Sequence, residues 1–493
     1  MGAAAAALPL LYLVVYAGEA GWAQSWEVLW RERTVRLLIN SIGLTAAVTA
    51  SCLAIGVPTA WLVTRTDLPA RRVWMVIAAL PLAVPSYVAA YGWIATSPGL
   101  HGFLPAWLIL TAVSTPYVTL PVAAAMRRAD PALEEVARSL GHSPTTALRE
   151  ALWPQIAPAA GAGALLVALY VLSDFGAVSM LRFEVFTFAI SRQYGSYLGR
   201  EDAIVLALVL VVLALAVVWT ERRLRGHSQR WRVGQGSARS TQAVPLGRWT
   251  IPALLFLLAV PFAAVLVPTV ALFQRLVEGT RRTLDFSELG TALIATCALA
   301  GAGALLATAL ALPLGMLAAR FRGRAASVLE VAGFTGHALP GIVVGLSLVF
   351  FSLQVVPGLY QSAIMLIFAY AVLFLPKAIG SVRASIAQVP PVLDDVARSL
   401  GHSPVRASAT ITMRLASPGI AAGALLVALT AMKELPATLL LRPTGVDTLA
   451  TEIWSRTASA AYGAAAPYAL ALILVASIPA FLLSRSTSWE VDK

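Results

Sequence analysis

Apolar runs of about twenty residues recur along nearly the whole chain, and their length constrains the fold more than any other feature. They lie near residues 3–17, 37–63, 73–95, 103–126, 156–180, 203–219, 251–272, 289–318, 328–352, 359–382, 417–433 and 464–483. A helix needs about 20 mostly apolar residues to cross a bilayer, and it satisfies its backbone hydrogen bonds internally. The pattern predicts an all-α polytopic membrane protein with about 12 transmembrane helices.

Charge content supports the same conclusion. Only 12% of the residues are charged, whereas soluble domains carry about 25%. Lipid must therefore solvate much of the surface. The net charge of +12 does not indicate a nucleic-acid partner, because the basic residues form short clusters between apolar runs.

The basic clusters also predict the orientation. If the N-terminus lies inside, most of the 36 Lys and Arg fall in inner loops, for example Arg65, Arg71 and Arg320. Cytoplasmic loops carry an excess of positive charge in membrane proteins. We therefore expect both termini in the cytoplasm. No basic region precedes the first apolar run, so a cleaved signal peptide is not expected.

An internal duplication organises the chain. The nine letters VARSLGHSP occur at 136–144 and again at 396–404, an offset of 260, and AGALLVAL recurs at 162–169 and 422–429 in the same register. Farther upstream, an offset of 255 aligns Arg65 with Arg320, Pro58 with Pro313 and Pro85 with Pro340. Six spans per copy is an even number, so the copies have the same orientation and form two parallel six-helix repeats.

The duplication defines the predicted domains. Residues 1–220 form the first transmembrane half and residues 250–493 form the second. Between them, residues 221–249 are basic and then rich in Gly and Ser, with no apolar period. This composition is typical of a linker, here on the cytoplasmic side.

The repeated loop has the local pattern of two helices joined by a glycine turn. Asp130 can cap a helix that begins at Pro131, and Gly141 can end it in a left-handed conformation. Ser143 precedes a proline and can cap a second helix. The second copy repeats these features around Gly401.

This loop resembles the EAA loop of importer-type ABC transporter permeases. The first copy reads Glu-Val-Ala followed four residues later by Gly, and the second reads Asp-Val-Ala and Gly. The resemblance implies that a coupling helix in each loop contacts an ATP-binding subunit through Glu135, Ala137, Gly141, Asp395, Ala397 and Gly401. Two departures are an Asp as the first acid of the second copy and Arg414 where the family has proline.

Two further segments are Ser173–Ala177, read SDFGA, and Met432–Pro443, read MKELPATLLLRP. They resemble the ferric-iron permease family with fused halves. The resemblance implies a permease subunit in the bacterial inner membrane, with two copies of a cytoplasmic ATP-binding subunit and an extracytoplasmic substrate-binding protein. Thiamine and phosphonate permeases share the fused plan, so those substrates remain alternatives.

The sequence contains no ATP-hydrolysing motif of its own. A P-loop requires a lysine preceded by glycine, and Lys377, Lys433 and Lys493 follow Pro, Met and Asp. We expect no catalytic residues and no cofactor. Cys52 and Cys297 lie in apolar runs, which predicts packing rather than a metal site or disulfide.

Asp174 and Glu434 are equivalent at the offset of 260, each after the helix that follows its loop. Acids at membrane depth are often functional, so one hypothesis is that they line the pathway of a cationic substrate. The alternative is a helix end that reaches water, or an ion pair such as one with Lys433.

Other polar features admit plainer interpretations. His142 and His402 repeat in the turns, where a structural or docking role is expected and lone histidines are weak evidence for metal. The charged outer segments 181–202 and 434–463 predict contact with a substrate-binding protein, or an ordinary solvated loop. A secondary transporter with parallel repeats would need charged residues deep in its spans, which are nearly absent. A membrane scaffold would not need two docking loops.

Overall fold

The computed structural model describes residues 2–19, 22–141, 143, 146, 148–195, 199–225, 243–279, 285–321, 323 and 339–488. These residues are almost entirely helical. Within them, β structure is limited to one parallel bridge between Thr66 and Val244. The all-α fold predicted from the sequence is confirmed.

The helices follow one another with short connections. Up to residue 225 they are Gly2–Glu19, Trp22–Trp30, Glu32–Arg65, Arg71–Ala79, Leu80–Ala83, Ser86–Thr96, Phe103–Ser114, Pro116–Arg128, Pro131–Ser139, Leu148–Leu152, Trp153–Ser173, Gly176–Met180, Phe186–Tyr194 and Arg200–Arg225. Beyond it they are Gly247–Trp249, Thr250–Pro261, Phe262–Leu266, Val267–Gly279, Phe286–Arg320, Gly341–Val355, Pro357–Leu359, Ala363–Ala387, Val392–Ser399, Pro404–Ala407, Ser408–Thr412, Met413–Ala431, Pro436–Leu441, Leu449–Ala458 and Tyr462–Ser488.

Eight helical stretches among the described residues are long and apolar enough to cross a membrane, or nine if a bent pair is one span. They are Glu32–Arg65, Phe103–Arg128, Arg149–Ser173, Glu201–Thr220, Gly247–Glu278, Phe286–Arg320, Ala363–Ala387 and Pro404–Ala431. Two shorter apolar helices, Gly341–Val355 and Tyr462–Ile478, lie in other predicted spans. Much of the predicted span 328–352 is outside the described residues, and the count of 12 stays a prediction.

The predicted span near 73–95 is not one straight helix. It consists of Arg71–Ala83 and Ser86–Thr96, which meet at an angle of 88°. Val84 is extended, with φ −91° and ψ 119°, and Pro85 follows it. A residue before proline avoids the helical region, and proline has no N–H to donate. The pair is therefore a broken span or a re-entrant loop.

The chain divides into two compact units. Unit A comprises Val35–Phe188 and Val212–Gln274, and unit B comprises Met1–Thr34, Ala189–Val211 and Arg275–Lys493. Each unit thus contains the body of one sequence half together with segments of the other. The predicted division at residues 220 and 250 describes the duplication in sequence, and it remains a proposal for domains.

Glycines allow close helix packing at equivalent places in the two units. In unit A, a Cβ on Gly163 would lie 2.8 Å from the Tyr117 carbonyl oxygen. In unit B, a Cβ on Gly423 would overlap the Ser381 side chain. These glycines occupy the same position in the repeated AGALLVAL segment. Small residues let membrane helices approach closely, so each copy packs its loop-following helix tightly on the helix before the loop.

The end of the linker is attached to the first long helix within unit A. The Val244 N–H donates to the Arg65 carbonyl oxygen at 2.9 Å, and Asp67 N–H donates to the Val244 carbonyl oxygen at 3.1 Å. The Leu246 N–H donates to Asp67 Oδ1 at 2.8 Å. Residues 226–242 of the predicted linker lie outside the described residues.

Candidate functional site

The first repeated loop contains the helix Pro131–Ser139, here named coupling helix A. Asp130 caps its start, because Oδ1 accepts a hydrogen bond from the Ala132 N–H at 3.0 Å. Gly141 follows its end with φ +88°, a left-handed conformation that glycine adopts at low cost. Ser143 Oγ then accepts from the Thr146 N–H at 3.2 Å. The helix, glycine turn and second cap predicted from the sequence are confirmed.

The second loop repeats this arrangement around Val392–Ser399, named coupling helix B. Gly401 has φ +89°, and the His402 N–H donates to the Ala397 carbonyl oxygen at 3.1 Å. Ser403 Oγ accepts from the Arg406 N–H at 3.3 Å. The two loops therefore share the left-handed glycine and the serine cap.

A π-helical turn follows each loop. The turns are Leu148–Leu152 and Ser408–Thr412, and their bounds differ by the same offset of 260 as the sequence repeat. Single π turns inside helices often occur at functional sites.

Both coupling helices present a row of exposed apolar side chains, named here the apolar triads. Triad A consists of Leu133, Val136 and Leu140, which are 51%, 54% and 73% exposed. Triad B consists of Leu393, Val396 and Leu400, which are 37%, 51% and 76% exposed. The spacing i, i+3, i+7 places each triad on one helix face, and the two sets are again 260 residues apart.

The residues singled out from the sequence lie in these loops with different surroundings. The side chain of Asp395 is 70% exposed and lies 3.6 Å from Arg398. Ala397 is buried at 2%, and Ala137 is half-buried. Glu135 belongs to coupling helix A, but its side chain lies outside the described residues.

Sequence comparison places this geometry in a family. The chain matches the family described as "Binding-protein-dependent transport system inner membrane component" over residues 53–222 and 311–487, with one segment in each half. The chain belongs to this family. It is therefore a multi-pass inner-membrane permease, and it functions with an ATP-binding subunit and a substrate-binding protein rather than as an enzyme.

Individual relatives differ in how much of the permease they match. The Fe(3+)-transport system permease protein FbpB 2 of Haemophilus influenzae is 36% identical over 482 residues, 97% of this chain and 95% of the relative. The sulfate transport system permease protein CysT of Escherichia coli is 31% identical over 189 residues, 35% of this chain and 67% of the relative. The molybdenum transport system permease protein ModB of Mycobacterium tuberculosis is 29% identical over 242 residues, 43% of this chain and 86% of the relative.

In unit A of the permease, Asp174 is 7% exposed and caps the short helix Gly176–Met180. Its Oδ1 accepts from the Ala177 N–H at 3.1 Å and from the Val178 N–H at 3.3 Å. Ser86 Oγ donates to the other carboxylate oxygen. Carboxylates at helix starts are stabilised by the free N–H groups, so these contacts hold the Asp174 carboxylate at the start of the short helix.

Glu434 of unit B caps the short helix Pro436–Leu441 in the same way. Its Oε1 accepts from the Ala437 N–H at 3.1 Å, and Ala437 is equivalent to Ala177. Glu434 is half-buried rather than buried. Lys377 of the same unit donates to Thr430 Oγ1 at 3.4 Å. Both acids keep a helix-capping geometry, and their role in a pathway stays a proposal.

The charged outer segments take part in internal ion pairs. Arg442 pairs with Asp447, and Arg456 pairs with Glu452 at 2.6 Å and with Glu288 at 2.8 Å. These pairs lower the number of charges available to a partner, and residues 196–198 lie outside the described set. Contact with the substrate-binding protein remains a prediction.

The two repeated histidines, His142 and His402, are predicted to have a structural or docking role rather than to bind metal. His142 lies outside the described residues, and the structure gives His402 a backbone bond in the turn. Among the described residues, no group of three or more His, Cys, Asp or Glu side chains is placed to hold a metal ion.

Sequence reasoning did not identify two arginines of the site. Arg65 lies 3.3 Å from Glu134 of coupling helix A, and Arg320 lies 3.6 Å from Asp394 of coupling helix B. The alignment of the arginines at an offset of 255 was the available signal. Their proximity to the coupling helices depends on tertiary packing across about seventy residues, which no local pattern encodes.

Proposed function

We propose that the chain imports ferric iron as the permease of a binding-protein-dependent ABC transporter, with two copies of the ATP-binding subunit docked on its two coupling loops. The observation that carries this proposal is the pair of apolar triads, exposed in the same register on the two repeats. Exposed apolar rows on a cytoplasmic helix suit a groove on a partner. Two such rows require two grooves, which one ATP-binding subunit per loop supplies.

The proposed topology is two parallel repeats of six transmembrane helices with both termini in the cytoplasm. The eight candidate spans, the bent pair and the two shorter apolar helices support it. Closure of the ATP-binding subunits would draw the coupling helices together. The permease would then alternate access to the two sides of the membrane. The docking residues in this proposal are Glu135, Ala137, Gly141, Asp395, Ala397 and Gly401.

Iron is favoured as the substrate by the extent of one match. The ferric-iron relative aligns with 97% of the chain, whereas the sulfate and molybdenum relatives align with 35% and 43% of it. The chain is therefore similar to a ferric-iron permease across both of its halves. A thiamine or phosphonate importer with the same plan is the alternative, and a secondary transporter is the alternative of a different class.

The docking proposal is tested by placing a charge on each triad. Burial of one leucine contributes roughly 1.5–3 kcal/mol, so Leu140→Asp or Leu400→Asp should weaken one docking contact by about tenfold or more. Native mass spectrometry of the purified complex should give two ATP-binding subunits for the wild type, one for each single variant and none for the double variant.

The matched controls are Leu140→Met and Leu400→Met, which keep an apolar side chain of similar volume and should retain both subunits. Retention of two subunits by the double aspartate variant would refute the docking proposal.

The substrate is tested by ATPase stimulation with loaded binding protein. Ferric iron, thiamine, an alkylphosphonate, sulfate and molybdate are compared, and stimulation by a compound other than iron overturns the iron assignment alone.

A further inference from the structure

Arg65 joins three elements of unit A. It is the last residue of the long helix Glu32–Arg65, and its side chain is only 5% exposed. Nη2 donates to the Met126 carbonyl oxygen at 3.0 Å, near the end of the helix before the loop. The same nitrogen lies 3.3 Å from Glu134 Oε1 of coupling helix A. The guanidinium thus links the long membrane helix to the coupling helix.

Arg320 makes the corresponding link in unit B. Its Nη1 donates to the Val389 carbonyl oxygen at 3.0 Å, just before coupling helix B. Its Nη2 donates to Thr412 Oγ1 at 3.3 Å and lies 3.6 Å from Asp394 Oδ2. Thr412 Oγ1 lies 2.7 and 2.8 Å from the two oxygens of Asp394. A hydroxyl therefore bridges the longer gap left by the shorter acid.

The two links occupy equivalent positions but use different side chains. The arginines align at an offset of 255, and the acids align at 260. Thr412 aligns at 260 with Leu152, which is buried at 1% and has no polar group. Unit A therefore spans the gap with a glutamate, and unit B spans it with an aspartate and a threonine. The shared feature is the connection itself.

Burial restrains the connection in unit A most strongly, since Arg65 is 5% exposed and Arg320 is 15% exposed. Arg65 is the buried arginine among the described residues, and its Nε and Nη1 have no hydrogen-bond partner there. A buried charge without its counter-charge is strongly unfavourable, so the acid on the coupling helix cannot move away freely. At the other end of coupling helix A, a Cβ on Gly141 would meet nothing within 4 Å. The acid of coupling helix A thus contacts a buried arginine, whereas no atom packs against the position that a Gly141 Cβ would take.

We propose that Arg65 and Arg320 are positioning residues that transmit movement of the coupling helices to the long membrane helices. The inference rests on the proposed function, since the movement comes from the docked ATP-binding subunits. When a coupling helix is displaced, the link passes the displacement to the ends of Glu32–Arg65 and Phe286–Arg320. Without the link, the coupling helix moves about its glycine turn, and the long membrane helix does not follow.

The experiment compares substrate transported per ATP hydrolysed in proteoliposomes that hold the full complex. The variants are Glu134→Gln, Asp394→Asn and the two together, which keep side-chain size but remove the carboxylate. Because small misplacements of coupled groups cost large factors in rate, we expect the ratio to fall about fivefold in each single variant and at least tenfold in the double. Arg275→Gln is the control, since it removes an exposed ion pair, the one with Glu278, outside both coupling loops.

A transplant within the chain separates positioning from general stability. Glu134→Asp shortens the acid of unit A and should lower the ratio. Adding Leu152→Thr recreates the aspartate and threonine of unit B, and the ratio should recover to at least half of the wild-type value. A protein that only needed the contact for folding would show parallel changes in yield and transport, with no change in transport per ATP.

Each result has one meaning. An unchanged ratio in assembled Glu134→Gln and Asp394→Asn complexes overturns the inference, and so does a failed rescue in assembled Glu134→Asp/Leu152→Thr complexes. If the variants instead lose the ATP-binding subunits, the arginines act on docking, which also overturns it. Failure of the wild-type chain to hold any ATP-binding subunit refutes the proposed function itself, and wild-type assembly is therefore measured first.

Discussion

The two units solve one packing problem in two ways where the helix after a proline meets the acid that caps a short helix. In unit A, Ser86 begins the helix after Pro85 and donates to Asp174. In unit B, Gly341 begins the helix after Pro340, and a Cβ there would overlap the Glu434 carboxylate and lie 3.1 Å from its Cδ. A serine with an aspartate corresponds to a glycine with a glutamate.

The difference shows which property of the site is fixed. Both carboxylates accept a hydrogen bond at 3.1 Å from the N–H of an equivalent alanine, Ala177 or Ala437. The longer acid reaches that N–H only because its neighbour lacks a side chain. The carboxylate therefore lies at the helix start in both units. In unit A a shorter acid is paired with a serine, and in unit B a longer acid is paired with a glycine.

A second difference concerns charge next to this site. In unit A, the rings of Tyr117 and Tyr170 lie 5.5 Å apart. At the equivalent positions of unit B, Lys377 donates to Thr430 at 3.4 Å. Unit B therefore holds a cation and a half-buried acid where unit A holds two rings and a buried acid. Charge at membrane depth often marks a functional path, which makes unit B the better candidate for contact with substrate.

The largest effect is expected from breaking the glycine–glutamate pair. Gly341→Ser places atoms where the Glu434 carboxylate lies, and overpacking of this kind typically costs about 1–3 kcal/mol or more. We expect a clear fall in the melting temperature of the detergent-solubilised permease and at least a tenfold loss of uptake.

The matching rescue is Gly341→Ser with Glu434→Asp, which gives unit B the pair found in unit A. It should restore most of the melting temperature. Ser86→Gly with Asp174→Glu is the reciprocal exchange and should also fold. A double variant no more stable than Gly341→Ser would mean that the two pairs are not interchangeable, and the comparison above would be wrong.

An intermediate effect is expected from removing the charge of each acid. Asp174→Asn and Glu434→Gln retain an oxygen that can accept the capping hydrogen bond, so the melting temperature should change little. If the acids line the pathway of a cationic substrate, uptake should fall in both variants. The loss should be about fivefold larger for Glu434→Gln than for Asp174→Asn, a difference of ~1 kcal/mol, because Glu434 is the more accessible acid.

Uptake must be measured at matched membrane content for this comparison. Unchanged uptake in the double variant Asp174→Asn/Glu434→Gln would refute the pathway role and leave both residues as helix caps. Equal losses in the two single variants would preserve a role for charge but remove the distinction between the units.

Local features of the site could be predicted from the sequence, whereas its tertiary contacts could not. The cap at Asp130 and the turns at Gly141 and Gly401 follow from backbone preferences over a few residues. The break before Pro85 was hidden because proline is tolerated inside membrane helices. The compensation between Gly341 and Glu434 joins residues that are far apart in sequence, and only packing reveals it.

The smallest effect is expected at the two glycine turns, where the loops are alike. Gly141 and Gly401 have φ of +88° and +89°, and a Cβ on either would meet nothing within 4 Å. Alanine would therefore cost only the backbone strain of a left-handed conformation, about 1 kcal/mol. Gly141→Ala and Gly401→Ala should lower the melting temperature slightly and equally.

Gly43 provides the control for these substitutions. It also has open space around its Cβ, but it lies inside the helix Glu32–Arg65, where alanine is preferred to glycine by roughly 0.5–1 kcal/mol. Gly43→Ala should therefore leave the melting temperature unchanged or raise it. A loss at one turn several times larger than at the other would mean that the coupling loops differ in stability. The differences between the units would then extend from their acid sites to their docking loops.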